Sequence, residues 1–140
     1  MHPDRAPPIA GDAEDHVASA LARLPHLLEA DPRLVARGRF LSVDCLIGTQ
    51  AQAVHLRIVE GRIAGLETGP RLMASWHFAY RATPEAWTAF WQPLPKPGWH
   101  DLLALTKRGA ARLEGQLHPF IANLQYFKDL LALPRGEARP

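Results

Sequence analysis

Residues 76–115 decide the fold, and they have the sequence WHFAYRATPEAWTAFWQPLPKPGWHDLLALTKRGAARLEG. Trp76, Phe78 and Tyr80 stand at alternate positions, which is the period of a half-buried strand. The Thr83-Pro84-Glu85 segment that follows is typical of a helix start. Threonine can cap the first turn, proline suits its first position, and glutamate complements the positive helix terminus. The stretch therefore predicts a strand that passes directly into a helix.

The predicted helix carries three large rings on one side. Trp87, Phe90 and Trp91 are spaced i, i+3, i+4, so their side chains project in the same direction. Residues 93–98 contain three prolines and cannot continue the helix, because proline lacks the N–H donor and clashes with the preceding turn. The sequence predicts a short aromatic helix followed by a stiff loop.

Three more elements follow this loop. Residues 99–109 have the pattern of a helix closed by basic residues and a glycine, and residues 110–115 that of a short fifth strand. A terminal amphipathic helix is predicted up to Pro134. Its apolar residues recur at i, i+4, i+7 and i+11: Phe120, Leu124, Phe127 and Leu131.

The first half of the chain predicts helices and then a β-meander. Residues 15–38 show a helical apolar stripe that Pro25 interrupts, which predicts two short helices or a kink. Alternating apolar residues over 41–47 and 54–58, and a short run over 63–66, predict three strands. Because the turns between them are short, an antiparallel meander is favoured over βαβ units.

Length and composition indicate one globular domain. The chain has 140 residues, of which 47% are apolar and 21% charged, enough for a single core. We expect a flexible arm over 1–13, one domain over 14–134 and a disordered tail over 135–140. Neither a membrane-spanning run nor a secretory signal is seen in the sequence, which predicts a soluble, cytoplasmic protein.

The distribution of charge argues against nucleic acid as a partner. The formal net charge is +2 and the isoelectric point about 9.0, but the basic residues are spread along the chain. Nucleic-acid sites generally cluster lysine and arginine among stacking aromatics. At most, peripheral contact with an anionic lipid surface is expected.

The sequence offers little for catalysis or metal binding. His55 and His77 lack metal-ligand spacing and a third carboxylate ligand, and Cys45 is expected to be buried and unreactive. The adjacent His100 and Asp101 would point about 100° apart on a helix. We predict no catalytic residue, no metal and no cofactor.

Three segments resemble the sterol carrier protein type 2 family. They are LRIVEGRI at 56–63, ATPEAW at 82–87 and KRGAARLEGQL at 107–117, and the resemblance covers about residues 39–131. Two features depart from the family pattern. Gln116 stands where the family often has aspartate, and the proline-rich loop separates its flanking helices more than usual.

The resemblance implies an α+β domain with a mainly antiparallel five-stranded sheet, helices on one face and an apolar tunnel between them. The implied ligand is a hydrophobic small molecule: a sterol, fatty acyl chain, acyl-CoA or polyprenyl quinone precursor. The implied role is to carry this ligand or present it to a partner enzyme, including as an accessory factor of ubiquinone biosynthesis. The predicted lining is Trp76, Phe78, Tyr80, Trp87, Phe90, Trp91, Leu102, Leu105, Phe120, Leu124, Phe127 and Leu131.

Two other functions remain open from the sequence. The aromatic and terminal helices could form an exposed patch for a homodimer or a partner enzyme. A small enzyme acting on a steroid or acyl substrate would use His77, His100 or Tyr80. The same apolar residues could also simply fill a core, since apolar periodicity usually means core.

Overall fold

The computed structural model describes residues 10–68 and 76–135, which form seven helices and five strands. The helices are α1 (Ala10–Ala22), α2 (Leu24–Glu29), α3 (Pro32–Arg37), α4 (Pro84–Phe90), α5 (Leu102–Lys107), α6 (His118–Ala122) and α7 (Leu124–Leu131). The strands are β1 (Ser42–Gly48), β2 (Ala53–Val59), β3 (Arg62–Glu67), β4 (Phe78–Ala82) and β5 (Ala111–Gly115). No helix within these residues is long and apolar enough to cross a bilayer.

Both predicted chain ends fall largely outside the described residues. Residues 1–9 of the predicted arm and 136–140 of the predicted tail are not described. Helix α1 begins at Ala10, inside the range predicted as an arm. Arg135 donates from Nε to the carbonyl oxygen of Phe90 at 2.8 Å, so the first residue of the predicted tail is bound to α4.

The sheet is mixed, which corrects the prediction of a mainly antiparallel sheet. Its order is β3-β2-β1-β4-β5, and the central pair β1 and β4 is parallel. The other three pairs are antiparallel. Turn residues specify pairing between strands that a short turn joins, so they could not predict how β4 pairs with β1. The observed register sets Cys45 beside Phe78 and Ile47 beside Tyr80, and all four side chains are fully buried.

Helices cover one face of the sheet. In β1, Val43, Cys45 and Ile47 are buried, and they alternate with residues on the other face. Residues from all seven helices complete the same apolar cluster. Burial of alternate strand positions against helices is the arrangement that an α+β domain needs to form one core.

One predicted helix break is confirmed, and two predicted helices have different bounds. Helix α2 carries Pro25 in its first turn, where its missing donor costs nothing, so the predicted break there is confirmed. Helix α5 begins at Leu102 and not at residue 99, because the Asp101 side chain caps it by accepting from Ala104 N at 3.0 Å. The terminal helix is two helices that meet at Asn123, whose side chain donates to Pro119 O at 2.9 Å.

Candidate functional site

The β4–α4 junction sets the direction of the aromatic residues. Thr83 is extended, with φ −67° and ψ 155°, and its hydroxyl oxygen accepts from Ala86 N at 3.0 Å. Pro84 occupies the first helical position, as predicted. The cap fixes where the helix begins, and this turns Trp87 and Phe90 into the space between α4 and the sheet.

Eight rings form one continuous aromatic layer between the sheet and the helices. Trp91 stacks on Trp87 with centroids 4.9 Å apart, and Trp87 meets Tyr80 edge to face at 6.0 Å. Tyr80 in turn stacks on Phe120 at 5.9 Å. We call this group the aromatic layer; its members are Phe78, Tyr80, Trp87, Phe90, Trp91, Phe120, Tyr126 and Phe127.

The polar atoms of the aromatic layer are tied to backbone carbonyls. Trp87 Nε1 donates to Gly48 O at 2.9 Å, and Trp91 Nε1 donates to Leu131 O at 2.7 Å. The Tyr80 hydroxyl likewise donates to a carbonyl, that of Leu102, at 2.7 Å. Since each donor is satisfied, the layer can be buried without the cost of an unpaired polar group.

Ten of the twelve predicted lining residues lie in one buried cluster. The other two, Trp76 and Leu124, are half-buried, and Leu124 packs against the cluster. Tyr126 belongs to the same layer but was not predicted. It stands between Leu124 and Phe127 in the apolar stripe, so its helical position was the available signal.

An open apolar groove lies on the outer face of α4, at its C-terminal end. Its volume is about 610 Å³, and none of the twelve predicted residues lines it. Leu94, at the tip of the proline-rich loop, is 90% exposed. We call this space the apolar groove; it is lined by Ala89, Gln92, Pro93, Leu94, Lys96 and Trp99. The sequence does not predict this groove, because the three prolines in residues 93–98 indicate only a stiff loop.

A smaller, charged cleft of about 390 Å³ lies near the other end of α4. Arg81 and Arg112, both in its lining, are directly opposite each other on β4 and β5. Glu114 offsets their repulsion, with carboxylate oxygens 2.6 Å from Arg81 and 3.6 Å from Arg112. Glu14 stands in the same cleft and accepts from the Thr49 hydroxyl. These paired charges make the cleft unsuitable for an apolar ligand.

The residues considered for catalysis have structural contacts. His77 Nδ1 accepts from the backbone N–H of Asp44 at 3.1 Å, which helps to join the start of β1 to β4. The Tyr80 hydroxyl is buried, and burial raises its pKa well above the usual range. Cys45 is fully buried, and burial likewise raises the pKa of its thiol. His100 is exposed.

The described residues also offer no cluster for a metal ion. No group of three or more histidine, cysteine, aspartate or glutamate side chains in residues 10–68 and 76–135 is placed to hold one. His55 Nε2 lies 3.7 Å from Asp44, which in turn lies 3.9 Å from Arg57. These three polar side chains lie on the sheet face opposite the helices.

Comparison with known proteins identifies the fold. No family model and no curated protein matches the sequence. A crystal structure of sterol carrier protein 2 superposes with a TM-score of 0.65 at 16% identity, covering 84% of this chain and 94% of that chain. A UbiJ-SCP2 ubiquinone synthesis protein gives 0.55 at 17% identity, covering 88% and 93%.

A third solved structure agrees with these two. The solution structure of TT1886 from Thermus thermophilus, described as possibly a sterol carrier protein, gives a TM-score of 0.52 at 18% identity, covering 84% of this chain and 86% of that chain. The chain therefore has a fold like that of sterol carrier protein 2, which confirms the family resemblance seen in the sequence. At these identities the likeness concerns the fold.

Proposed function

We propose that this protein binds an apolar, lipid-like ligand and carries it or presents it to a partner. The observation that supports this most directly is an open apolar groove of about 610 Å³ on a sterol-carrier-like fold. Small-molecule sites usually have volumes of about 300–1,000 Å³ and mostly apolar linings with few polar groups. Gln92 and Lys96 are the polar members of this lining.

Apolar contact alone can hold such a ligand. Burying a methylene group contributes about 0.8 kcal/mol, so eight methylenes in the groove contribute about 6 kcal/mol before the costs of association. The exposed Lys96 at the rim can pair with an acidic head group without itself being buried. A carboxylate on the ligand is therefore compatible with the groove but not required.

The aromatic layer is the second apolar compartment, and the lining role of the twelve predicted residues stays a prediction. The stacked and edge-to-face rings have centroids 4.9–6.0 Å apart, which is contact distance. A ligand chain could enter only if the helices moved away from the sheet. Because Ala89 and Phe90 lie on different faces of α4, the groove and the layer are separated by that helix.

The ligand classes that we propose are a sterol, a fatty acyl chain, acyl-CoA and a polyprenyl quinone precursor. The similarity in fold to a UbiJ-SCP2 ubiquinone synthesis protein supports the quinone precursor. With a quinone precursor as its ligand, the protein would be an accessory factor that presents the precursor to an enzyme of ubiquinone biosynthesis. A prenylated quinone analogue should then compete better than a sterol or a fatty acid.

Ligand binding can be tested on the full chain. Native mass spectrometry of the purified protein should show a bound apolar molecule, and organic extraction should release it. A fluorescent fatty acid should bind and be displaced by a prenylated quinone analogue, a sterol or an acyl-CoA. If the protein carries no apolar molecule and binds none of these probes, the proposal is wrong.

Two tryptophan variants locate the site. Ala89→Trp places an indole in the groove, and we expect it to weaken probe binding at least ~10-fold by excluding the ligand. Thr88→Trp is the matched control, because Thr88 is exposed on the same helix and does not line the groove. If Phe120→Ala changes the affinity and Ala89→Trp does not, the ligand lies in the aromatic layer and our assignment to the groove is wrong.

A protein-interaction module is the alternative. The aromatic faces of α4 and α7, which this hypothesis placed at the surface, are buried. Exposed apolar residues occur instead at α6, where Leu117 is 43% and Ile121 is 48% exposed. A concentration-dependent dimer detected by light scattering, abolished by Ile121→Asp and unaffected by lipid, would favour this alternative.

A further inference from the structure

The loop that borders the apolar groove combines an exposed apolar tip with positive charge. Residues 92–100 include Lys96 and no acidic residue. Leu94 is 90% exposed, and prolines flank it on both sides. Proline fixes φ, so the loop loses little entropy when its tip is immobilised.

The residue that follows the end of α5, Arg108, adds a second cation to the loop. The guanidinium of Arg108 lies 4.3 Å from the centroid of the Trp99 ring. Gly98 has φ +87°, and a Cβ there would lie 2.5 Å from a guanidinium nitrogen of Arg108. Arg108 is therefore held against the loop, and its neighbour Lys107 is exposed as well.

The acidic residue that follows the loop has its charge offset by other groups. Asp101 is bound by Lys128 Nζ at 2.7 Å and by the backbone N–H of Ala104 at 3.0 Å. Before the loop, Glu85 lies in the first turn of α4, about 8 Å from the helix end at Phe90 at a rise of ~1.5 Å per residue. Of the acidic residues nearest the loop in sequence, one is therefore paired and the other lies more than one helical turn away. Lys96 and Arg108 are both exposed at the loop.

We propose that residues 92–100 dock on an anionic lipid bilayer, with Leu94 inserted among the acyl chains and Lys96 and Arg108 at the level of the lipid phosphates. Anionic bilayers attract basic residues, and a buried apolar side chain adds to the binding. A single protruding leucine suits a fluid bilayer better than a stable protein interface, which buries about 1,200–2,000 Å² in total.

Docking in this orientation brings the groove to the membrane surface. Leu94 and Lys96 line the groove as well as forming the loop tip. A lipid could then pass between the bilayer and the groove with little exposure to water. The transfer of a lipid between the bilayer and the groove rests on the proposed function, whereas bilayer docking itself does not.

The test measures sedimentation of the full chain with lipid vesicles. Vesicles of phosphatidylcholine mixed with phosphatidylglycerol should bind the protein, and vesicles of phosphatidylcholine alone should bind it more weakly. Binding should weaken with added salt, because the Debye length falls from ~10 Å at 0.1 M to ~3 Å at 1 M. Leu94→Asp should reduce binding at least ~10-fold, and Lys96→Gln about 5-fold.

Phe40→Asp is the matched control. Phe40 is also an isolated apolar residue, 88% exposed, with the guanidinium of Arg39 4.7 Å from its ring centroid. It does not line the groove, so its substitution should leave vesicle binding unchanged. Circular dichroism of each variant should confirm that the fold is retained, as expected for changes at exposed positions.

Two results would overturn the docking proposal: equal vesicle binding by wild type and Leu94→Asp, or loss of binding in Phe40→Asp alone. Titration with a fluorescent fatty acid in vesicle-free solution separates this proposal from the proposed function. If the probe binds while vesicles do not, docking is wrong and ligand binding stands. If vesicles bind while the probe does not, ligand binding is wrong and docking stands.

Discussion

The indole nitrogen of Trp91 donates a hydrogen bond to the carbonyl oxygen of Leu131, 2.7 Å away, and so ties the end of α4 to the end of α7. Leu131 is the last residue of its helix, where carbonyl groups have no donor from the helix itself. Trp91 supplies that donor while its ring stacks on Trp87. The contact joins residues 40 positions apart.

Removing this donor should destabilise the fold. Trp91→Phe leaves the Leu131 carbonyl without its partner, and we expect a loss of about 1–3 kcal/mol in the free energy of unfolding. Urea denaturation followed by fluorescence measures it. Trp99→Phe is the matched control, because Trp99 is half-buried and phenylalanine can keep a ring contact with the Arg108 guanidinium, so its loss of stability should be smaller. Equal losses in the two variants would contradict the assigned role of Trp91.

The helix cap at Thr83 gives a second prediction. Thr83→Ala removes the hydroxyl that accepts from Ala86 N, and should lower the free energy of unfolding by about 1 kcal/mol. Thr83→Ser should retain most of the stability, because serine can make the same bond. Thr88→Ala removes a hydroxyl from an exposed position of the same helix and should have little effect. A loss at Thr88 as large as that at Thr83 would refute the capping account.

Stability should fall at alkaline pH. Burial raises the pKa of Cys45, Tyr80 and Tyr126 in the folded state. In the unfolded chain these groups lose their protons near their ordinary pKa values, about 8.5 for cysteine and about 10 for tyrosine. The contribution of these protonated groups to the free energy of unfolding is therefore complete below about pH 8. It is lost as pH rises above these values, by up to ~1.4 kcal/mol per pH unit for each group.

Urea denaturation at several pH values checks this dependence. Tyr80→Phe and Cys45→Ala should each make the alkaline decline less steep, even though both substitutions lower stability near neutral pH. An unchanged slope in both variants would show that other groups cause the decline.

The lowered pKa of Asp101 predicts how the stability of the fold changes at acid pH. Partial burial favours its neutral form, but hydrogen bonds from Lys128 and the Ala104 N–H outweigh burial and hold the pKa of Asp101 below its usual value. The contribution of the ionised carboxylate to the free energy of unfolding is present above the ordinary aspartate pKa of about 3.9. It is lost as pH falls through the lowered pKa of the folded state. Asp101→Asn should therefore unfold with a weaker acid dependence than wild type. An identical acid profile would contradict this.

The starts and breaks of helices were predictable where a proline or a capping side chain sets the local backbone conformation. The Thr83-Pro84-Glu85 start of α4 and the break near Pro25 follow from cap and proline chemistry alone. The start of α5 was misplaced because Trp99 and His100 continue an acceptable helical pattern, and the Asp101 cap overrides it. The break at Asn123 was missed because the apolar period runs unchanged through both terminal helices.

The candidate site was predictable in part. The spacing of Trp87, Phe90 and Trp91 predicted that their rings share one side of α4, and all three are buried. Whether such rings line a cavity or fill a core depends on distances between elements that are far apart in sequence. The groove was missed because it forms where the loop around Leu94 folds against α4 and Trp99, which the loop sequence does not encode locally.

The sequence by itself determined the order and type of the main strands and helices and which side of each is apolar, because period and capping are properties of neighbouring residues. It also carried the resemblance that the fold comparison confirmed. Tertiary structure alone decided that β4 lies parallel to β1, that the Trp91 donor meets Leu131 O, and that the apolar groove opens on the outer face of α4. The physical reason is that these three features depend on how whole elements pack, and many sequences with the same local pattern could pack differently.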